Sequence, residues 1–169
     1  MTHVIEPFVM GLTGLSGAGK TYYVDALKAA LGENVTVVGF DDYYKPLEMQ
    51  HIDEHGEANY DLPSALFSER FHEDLLQLLA YKPVLIKKYQ FENYDAPEQT
   101  EIVNPAPILL VEGLFVMDYE AVDSLLNYRI FVDCDLELCF NRRIERDIRE
   151  RGIPLKRSLH QWEHHVMPA

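Results

Sequence analysis

Apolar side chains recur along this chain in two rhythms, short unbroken runs and stripes at helical spacing, and the two rhythms alternate. Phe8, Val9, Met10 and Leu12 form the first run and predict a buried strand over 8–13. Val24, Leu27 and Leu31 then recur on one side of a helix that Gly32 is placed to end as a C-cap. Val35, Thr36, Val37, Val38 and Phe40 are β-branched or aromatic and predict a second buried strand. The polar stretch 46–63 reads as a loop over a cleft. Ser64 is placed to N-cap a helix carrying Phe67, Phe71, Leu75 and Leu78. Another strand-like run covers 84–89, and the QFENYDAPEQT that follows its start is too polar for core. Residues 108–111 form a continuous apolar strand closed by Glu112-Gly113.

Asp118 is placed to cap a helix containing Val122, Leu125 and Leu126, and 129–133 (RIFVD) predicts a further strand. The long helix after it carries Leu136, Phe140, Ile144 and Ile148 four apart, predicting a buried side, with Arg142, Arg146 and Arg149 on another face. A last helical segment begins after Pro154. Strands alternating with helices predict an α/β fold of parallel strands joined by right-handed crossovers. Ligands on such sheets lie beyond the carboxyl ends of the strands. That rule gathers residues 14–21, Asp41, Tyr44, Glu112 and Asp133 at one edge. No repeat, low-complexity tract or second domain interrupts the pattern, so 1–169 reads as a single domain.

The break after the first strand changes the picture from fold to chemistry. Gly14, Gly19, Lys20 and Thr21 fit G-x-x-x-x-G-K-[ST], the Walker A phosphate loop, with a strand before it and a helix after it. Glycines let the backbone N–H groups of Gly14, Leu15, Ser16, Gly17, Ala18 and Gly19 curl around a phosphate. Lys20 can reach the terminal phosphates, and the Thr21 hydroxyl can ligate Mg²⁺. The helix beginning near Gly19 points its positive end at the same group. Glu112 ends a strand beside this loop, where a carboxylate would hold the metal directly or through water.

Charge narrows the choice of partner. The chain has 28 acidic and 15 basic side chains, a formal net charge of −13, which argues against non-specific nucleic-acid binding. Eight of the basic residues fall between Arg129 and Arg157. Cys134 and Cys139 offer no disulfide framework, which fits a reducing, cytoplasmic setting. The chain opens without a charged-then-apolar leader. The apolar run 108–117 is broken by Glu112 and too short to span a bilayer, so a soluble protein with no membrane partner is expected.

Taken in order, GLSGAGKT, DDYYKP, NYDLPSALF, KYQF, ILLVEGLF, RIFVDCD and RRIERDIRERG resemble the uridine kinase branch of the phosphoribulokinase/uridine kinase family. The resemblance runs from Phe8 to Gln161 and implies a three-layer P-loop kinase fold with a mostly parallel central sheet. It also implies an arginine-rich lid at about 142–157, and transfer of the ATP γ-phosphoryl group, with Mg²⁺, to the 5′-hydroxyl of a ribonucleoside. Asp41 matches the family's catalytic aspartate. Asp42 is equally placed by local pattern, but Tyr44 aligns three residues after Asp41. Asp61 resembles the aspartate that grips the ribose hydroxyls, and Tyr60, Tyr89 and Phe91 resemble the aromatic wall of the acceptor pocket. Arg143, Arg146 and Arg151 match functional positions of the lid motif, Arg142 and Arg149 read as surface, and Gln161 aligns near the nucleoside.

Three departures limit the likeness. Tyr94 stands where the family places a base-reading histidine, and Ile153 stands where an arginine follows the lid glycine. The family also continues with a strand and helix that complete the sheet, so an unpaired edge is expected here, covered by a partner or left by truncation. Members of the family are often tetramers, which makes a homo-oligomer an expectation. Other acceptors therefore stand beside uridine and cytidine: pantothenate, phosphoribulose, glycerate or a sugar. A nucleotide-binding switch without transfer activity is the alternative from another class, though it would not need Lys20, Asp41, Glu112 and Arg146 together. His160, His164 and His165 around Glu163 read as a polar helix face, and His51, Asp53, Glu54 and His55 as a solvated loop.

Overall fold

The computed structural model describes residues 6–91 and 97–168. The first strand, β1 (Phe8–Thr13), runs into a glycine-rich loop and helix α1 (Lys20–Leu31), and β2 (Val35–Gly39) follows. A short hairpin of β3 (His51–Ile52) and β4 (Ala58–Asn59) precedes α2 (Ser68–Leu79). Strands β5 (Val84–Lys87) and β6 (Thr100–Val103) form an antiparallel ribbon, and β7 (Ile108–Glu112) returns to the centre. Then come α3 (Glu120–Asp123), β8 (Tyr128–Phe131), α4 (Leu136–Arg149) and α5 (Leu155–Gln161), which widens into a π-helical turn over Trp162–Val166.

The central sheet has the order β2-β7-β1-β8, and every pairing in it is parallel. Side chains alternate between its two faces, as they must along a strand. Leu109 and Val111 of β7 join a core with Phe40, Phe71, Leu75 and Leu78, whereas Leu110 faces a second core with Leu12, Val24 and Trp162. An apolar strand covered on both faces therefore explains the unbroken run at 108–111. Register does the positioning: Glu112 lies opposite Leu12 of β1 and Gly39 of β2. The phosphate-loop candidate, the turn after β2 and Glu112 thus leave the sheet at one edge.

Several expectations need correction. Phe67 donates its N–H to the Tyr43 carbonyl at 2.9 Å, and Tyr44 bridges Leu66, so the chain is held extended there and α2 starts at Ser68 rather than being capped by Ser64. Asp118 caps nothing; Tyr119 occupies the N-cap position of α3, its hydroxyl reaching across to donate to the Pro63 carbonyl. Residues 97–100 are exposed, as their polarity predicts, and lead into β6, whose pairing with β5 the sequence pattern did not show; Val84, Ile86 and Val103 of this ribbon join the core, and Leu85 and Ile102 face outward.

The largest correction concerns α4. The ends of its expected apolar side are open, with Leu136 47% and Ile148 44% exposed, while Phe140 and Ile144 between them are half-buried and Phe140 packs on Trp162; the fully buried stripe is Cys139, Arg143 and Asp147. The helix turns its charged stripe inward because partners for those charges wait in the cleft. Strand β8 pairs with β1 alone among the described residues and forms one edge of the sheet. Among those residues no helix is long and apolar enough to cross a membrane.

The core on the α2 side centres on Phe71, fully buried and stacked on Phe40 with ring centroids 4.1 Å apart. Phe71→Ala should lower the free energy of unfolding by about 3–5 kcal/mol in urea denaturation, the range for emptying an aromatic site in a packed core.

Candidate functional site

The loop between β1 and α1 is shaped by close approach. Gly17 has φ 85°, and a Cβ there would run into the carbonyl oxygen of Cys139 on α4. The glycine thus lets the loop lie directly against the α4 backbone, a contact any side chain would prevent. Gly19, with φ 98°, holds the left-handed position from which α1 starts. Lys20 turns back over the loop, donating to the Gly14 carbonyl at 2.9 Å and the Leu15 carbonyl at 3.4 Å. Burial pulls its ammonium pKa below the ordinary lysine value, while the charges of Asp41 and Glu112 push the other way. Thr21 stands exposed on the first turn of α1.

The turn after β2 separates two adjacent aspartates that the sequence pattern leaves equivalent. Asp42 is spent: it accepts from Lys88 Nζ and, at 3.2 Å, from the Tyr89 backbone N–H. Asp41 makes no hydrogen bond or ion pair among the described residues. Its carboxyl pKa is raised by burial, against the opposing pull of Lys20, Arg151 and Arg146. Glu112 is pushed up to about 7, first by burial and then by the neighbouring Asp41 charge. A proton-hungry carboxylate pair beside a lysine and two arginines is an arrangement that gains from an added cation or an added phosphate.

On the other side of the cleft, Arg143 donates two parallel bonds to Asp61, at 2.8 and 2.9 Å, with both side chains buried. Both oxygens of Asp61 are therefore engaged by Arg143. Sequence reasoning took these two residues as separate contacts to substrate; the structure makes them one pair. Behind them lies Asp147, with no exposed surface, which accepts from Ser158 Oγ at 2.8 Å and from Arg151 Nη1 at 3.4 Å. Arg143 Nε and Arg146 Nη2 approach it at 3.5 and 3.6 Å. Arg146 also donates to Ser16 Oγ in the loop at 3.2 Å, and burial lowers its pKa. Asp147 was missed as an organiser because its i,i+4 spacing to arginines also fits a surface pair; Arg149 and Glu145, on the outside of the same helix, are such a pair.

The aromatic candidates do converge. Tyr44 packs against Tyr60, Tyr89 and Phe91 with ring centroids 5.3–5.5 Å apart, and the Arg151 guanidinium lies 4.2 Å over the Phe91 ring. Burial, then the charges of Asp41 and Asp61, hold the Tyr44 phenol well above its usual pKa. Gln161 is buried at the end of α5, and Ile153 is buried where the family has an arginine. Tyr94 lies outside the described residues. A hollow of 230 Å³ joins Gly14, Ser16 and Asp61 with Leu114 and Asp118. A larger one of 580 Å³ opens beside Asp42, Tyr44, Lys88 and Tyr89. The smaller one touches the loop; the larger lies on the Asp42 side of the turn.

The donors present suit a hard cation: the Glu112 carboxylate and Thr21 hydroxyl are oxygen ligands, and the burial that raises Glu112 makes its charge costly without a counter-ion.

Comparison with known proteins finds likenesses that span nearly the whole chain. A family model described as the phosphoribulokinase/uridine kinase family matches residues 9–169. The uridine kinase of Lactiplantibacillus plantarum is 34% identical over 164 residues, covering 96% of this chain and 78% of that protein. The uridine kinase of Halobacterium salinarum is 32% identical over 164 residues, covering 97% and 73%. Among solved structures, a protein assigned as a fructose transport system kinase from Silicibacter sp. TM1040 superposes with a TM-score of 0.73 at 16% identity, over 99% of this chain and 84% of that one. At that identity the likeness is one of fold.

Between pH 4.5 and about 7 the folded chain keeps a proton on Glu112 that the unfolded chain has released, so this residue's contribution to stability falls as pH rises through that window. Glu112→Gln should remove that fall, and urea denaturation of both forms across the window measures the difference.

Proposed function

The chain belongs to the phosphoribulokinase/uridine kinase family, and from that membership we propose that it transfers the γ-phosphoryl group of ATP to the 5′-hydroxyl of a ribonucleoside such as uridine or cytidine. The observation that carries this reading is the division between the two aspartates: Asp42 is bound to Lys88, while Asp41 lies near the charges of Lys20, Arg146 and Arg151 with its oxygens free of hydrogen bonds among the described residues. In this reading the amides of residues 14–21 cradle the phosphates, and Lys20, Arg146 and Arg151 offset the charge that develops on the transferred group. Asp41 orients the acceptor hydroxyl and takes its proton; a raised pKa makes it the better base. Thr21 and Glu112 would hold Mg²⁺, which when bound screens the phosphate oxygens.

Tyr44, Tyr60, Tyr89, Phe91 and Gln161 would line the acceptor pocket, with Tyr94 added from its place in the sequence. Asp61, fixed by Arg143, would meet the sugar hydroxyls with its remaining lone pairs. The whole chain acts as one kinase unit, with 142–157 as its lid. A second reading keeps the reaction and changes the alcohol, to pantothenate, phosphoribulose, glycerate or a sugar. The burial of Ile153 favours it, because no guanidinium is offered from that position.

Asp41→Asn should leave ATP binding nearly unchanged and cut turnover by roughly 10²–10⁴, the usual weight of a positioned base. Asp42→Asn should keep most of the turnover. Equal activity in the wild type and Asp41→Asn would refute the base assignment. ADP release measured over the panel of alcohols decides the acceptor, and no signal above buffer with uridine or cytidine retires the nucleoside.

A further inference from the structure

Away from the phosphate loop, the β3–β4 hairpin meets the last helices in a cluster of one carboxylate and four imidazoles. Asp53 stands in the hairpin turn, where its Oδ1 accepts the backbone N–H groups of His55 and Glu57, each at 2.8 Å. Those bonds aim Oδ2 at the end of the chain, where His160 Nε2 lies at 2.6 Å and His165 Nε2 at 2.9 Å. The His55 ring sits 4.7 Å from that of His160, and the His164 ring lies 4.5 Å from His160 and 5.8 Å from His55. One ligand atom from each of Asp53, His55 and His160 lies within 4.8 Å of the others. This overturns the reading of both segments as ordinary polar surface: 107 positions separate Asp53 from His160, and only the fold joins them.

We propose that this cluster binds a divalent transition ion of the zinc type, with Asp53 Oδ2, His55 and His160 as ligands and His164 closing the shell. Imidazole nitrogens with one carboxylate oxygen suit zinc and its neighbours, and suit Mg²⁺ poorly. His160 and His164 are four apart, so they share a helical face, while Asp53 and His55 flank one turn residue; two ligands from each element is a workable tetrahedral set. His165 supplies the outer support. It is 2% exposed, its Nε2 contacts Asp53 Oδ2, and its Nδ1 has no hydrogen-bond partner among the described residues, so its role is to orient the carboxylate.

Access and charge agree with an ion site. The His55 and His164 side chains face solvent, and Asp53 and His160 lie beneath them, which leaves a path inward. Glu54 approaches His55 Nδ1 at 4.0 Å, and Glu57 pairs with Arg157, so the hairpin and α5 are already held together beside the cluster. An ion entering takes the place of the hydrogen bond between His160 and Asp53, and the imidazole then carries its proton on the other ring nitrogen. Its structural consequence is a tie between β3–β4 and α5. The proposal does not depend on the kinase reading.

The test uses the full chain stripped with a chelator and titrated with Co²⁺, then Zn²⁺. One equivalent of Co²⁺ should give the intense visible bands of four-coordinate cobalt, Zn²⁺ should displace it, and excess Mg²⁺ should not. Hydrogen exchange in residues 51–59 and 155–166 should slow on adding Zn²⁺. His55→Ala, an exposed substitution that leaves the fold intact, and His160→Ala should each weaken binding by at least the roughly 10–100-fold that loss of an outer-shell partner costs. Absence of Co²⁺ bands and of calorimetric Zn²⁺ binding in the wild type overturns the proposal. So does binding that His55→Ala and His160→Ala leave unchanged.

Discussion

A carboxylate with no exposed surface has to be neutralised, and the way this chain neutralises Asp147 organises its cleft. Taking a charge out of water costs several kcal/mol unless opposite charges and hydrogen bonds surround it. Asp147 gathers them from its own helix, as Arg143 and Arg146, from the turn after it, as Arg151, and from α5, as Ser158. Each guanidinium held this way points onward: Arg143 to Asp61, Arg146 to Ser16 of the phosphate loop, Arg151 to the face of Phe91. One buried anion therefore sets the directions of three cations, toward Asp61, the glycine-rich loop and the aromatic cluster.

The same economy explains why α4 presents apolar residues to solvent. A helix has one buried stripe, and here Cys139, Arg143 and Asp147 occupy it. Leu136 and Ile148 are left outside because the inward face is already committed to charge. The cost is offset by fixed geometry: a guanidinium fork held by two partners has few other rotamers.

At the edge of the sheet, Asp41 and Asp42 show how two identical neighbours acquire different roles. The turn after β2 sends one carboxylate to the β5 side, where Lys88 and the Tyr89 amide take it, and leaves the other among cations, with no side-chain hydrogen bond among the described residues. Burial raises the proton affinity of the free one, and its neighbour Glu112 responds in the same direction. The cleft is thus electrostatically incomplete, with both acids and bases poised around a space that substrate and cation would fill.

What the amino-acid sequence determined by itself is whatever depends on residues a few positions apart. The strand–loop–helix of residues 8–31 belongs here, as do the glycines that permit the loop, the parallel order implied by alternating runs, and the placement of Glu112 at a strand end. Local backbone geometry and side-chain period dictate these. Only the tertiary structure decided which aspartate is free, that Asp61 and Arg143 are a single pair, which face of α4 is inside, and that Asp53 meets the terminal histidines. Those outcomes turn on contacts spanning 46, 82 and 107 positions, and no local pattern carries them. A buried charge must find its partner in space, and the partner's address is written in the fold.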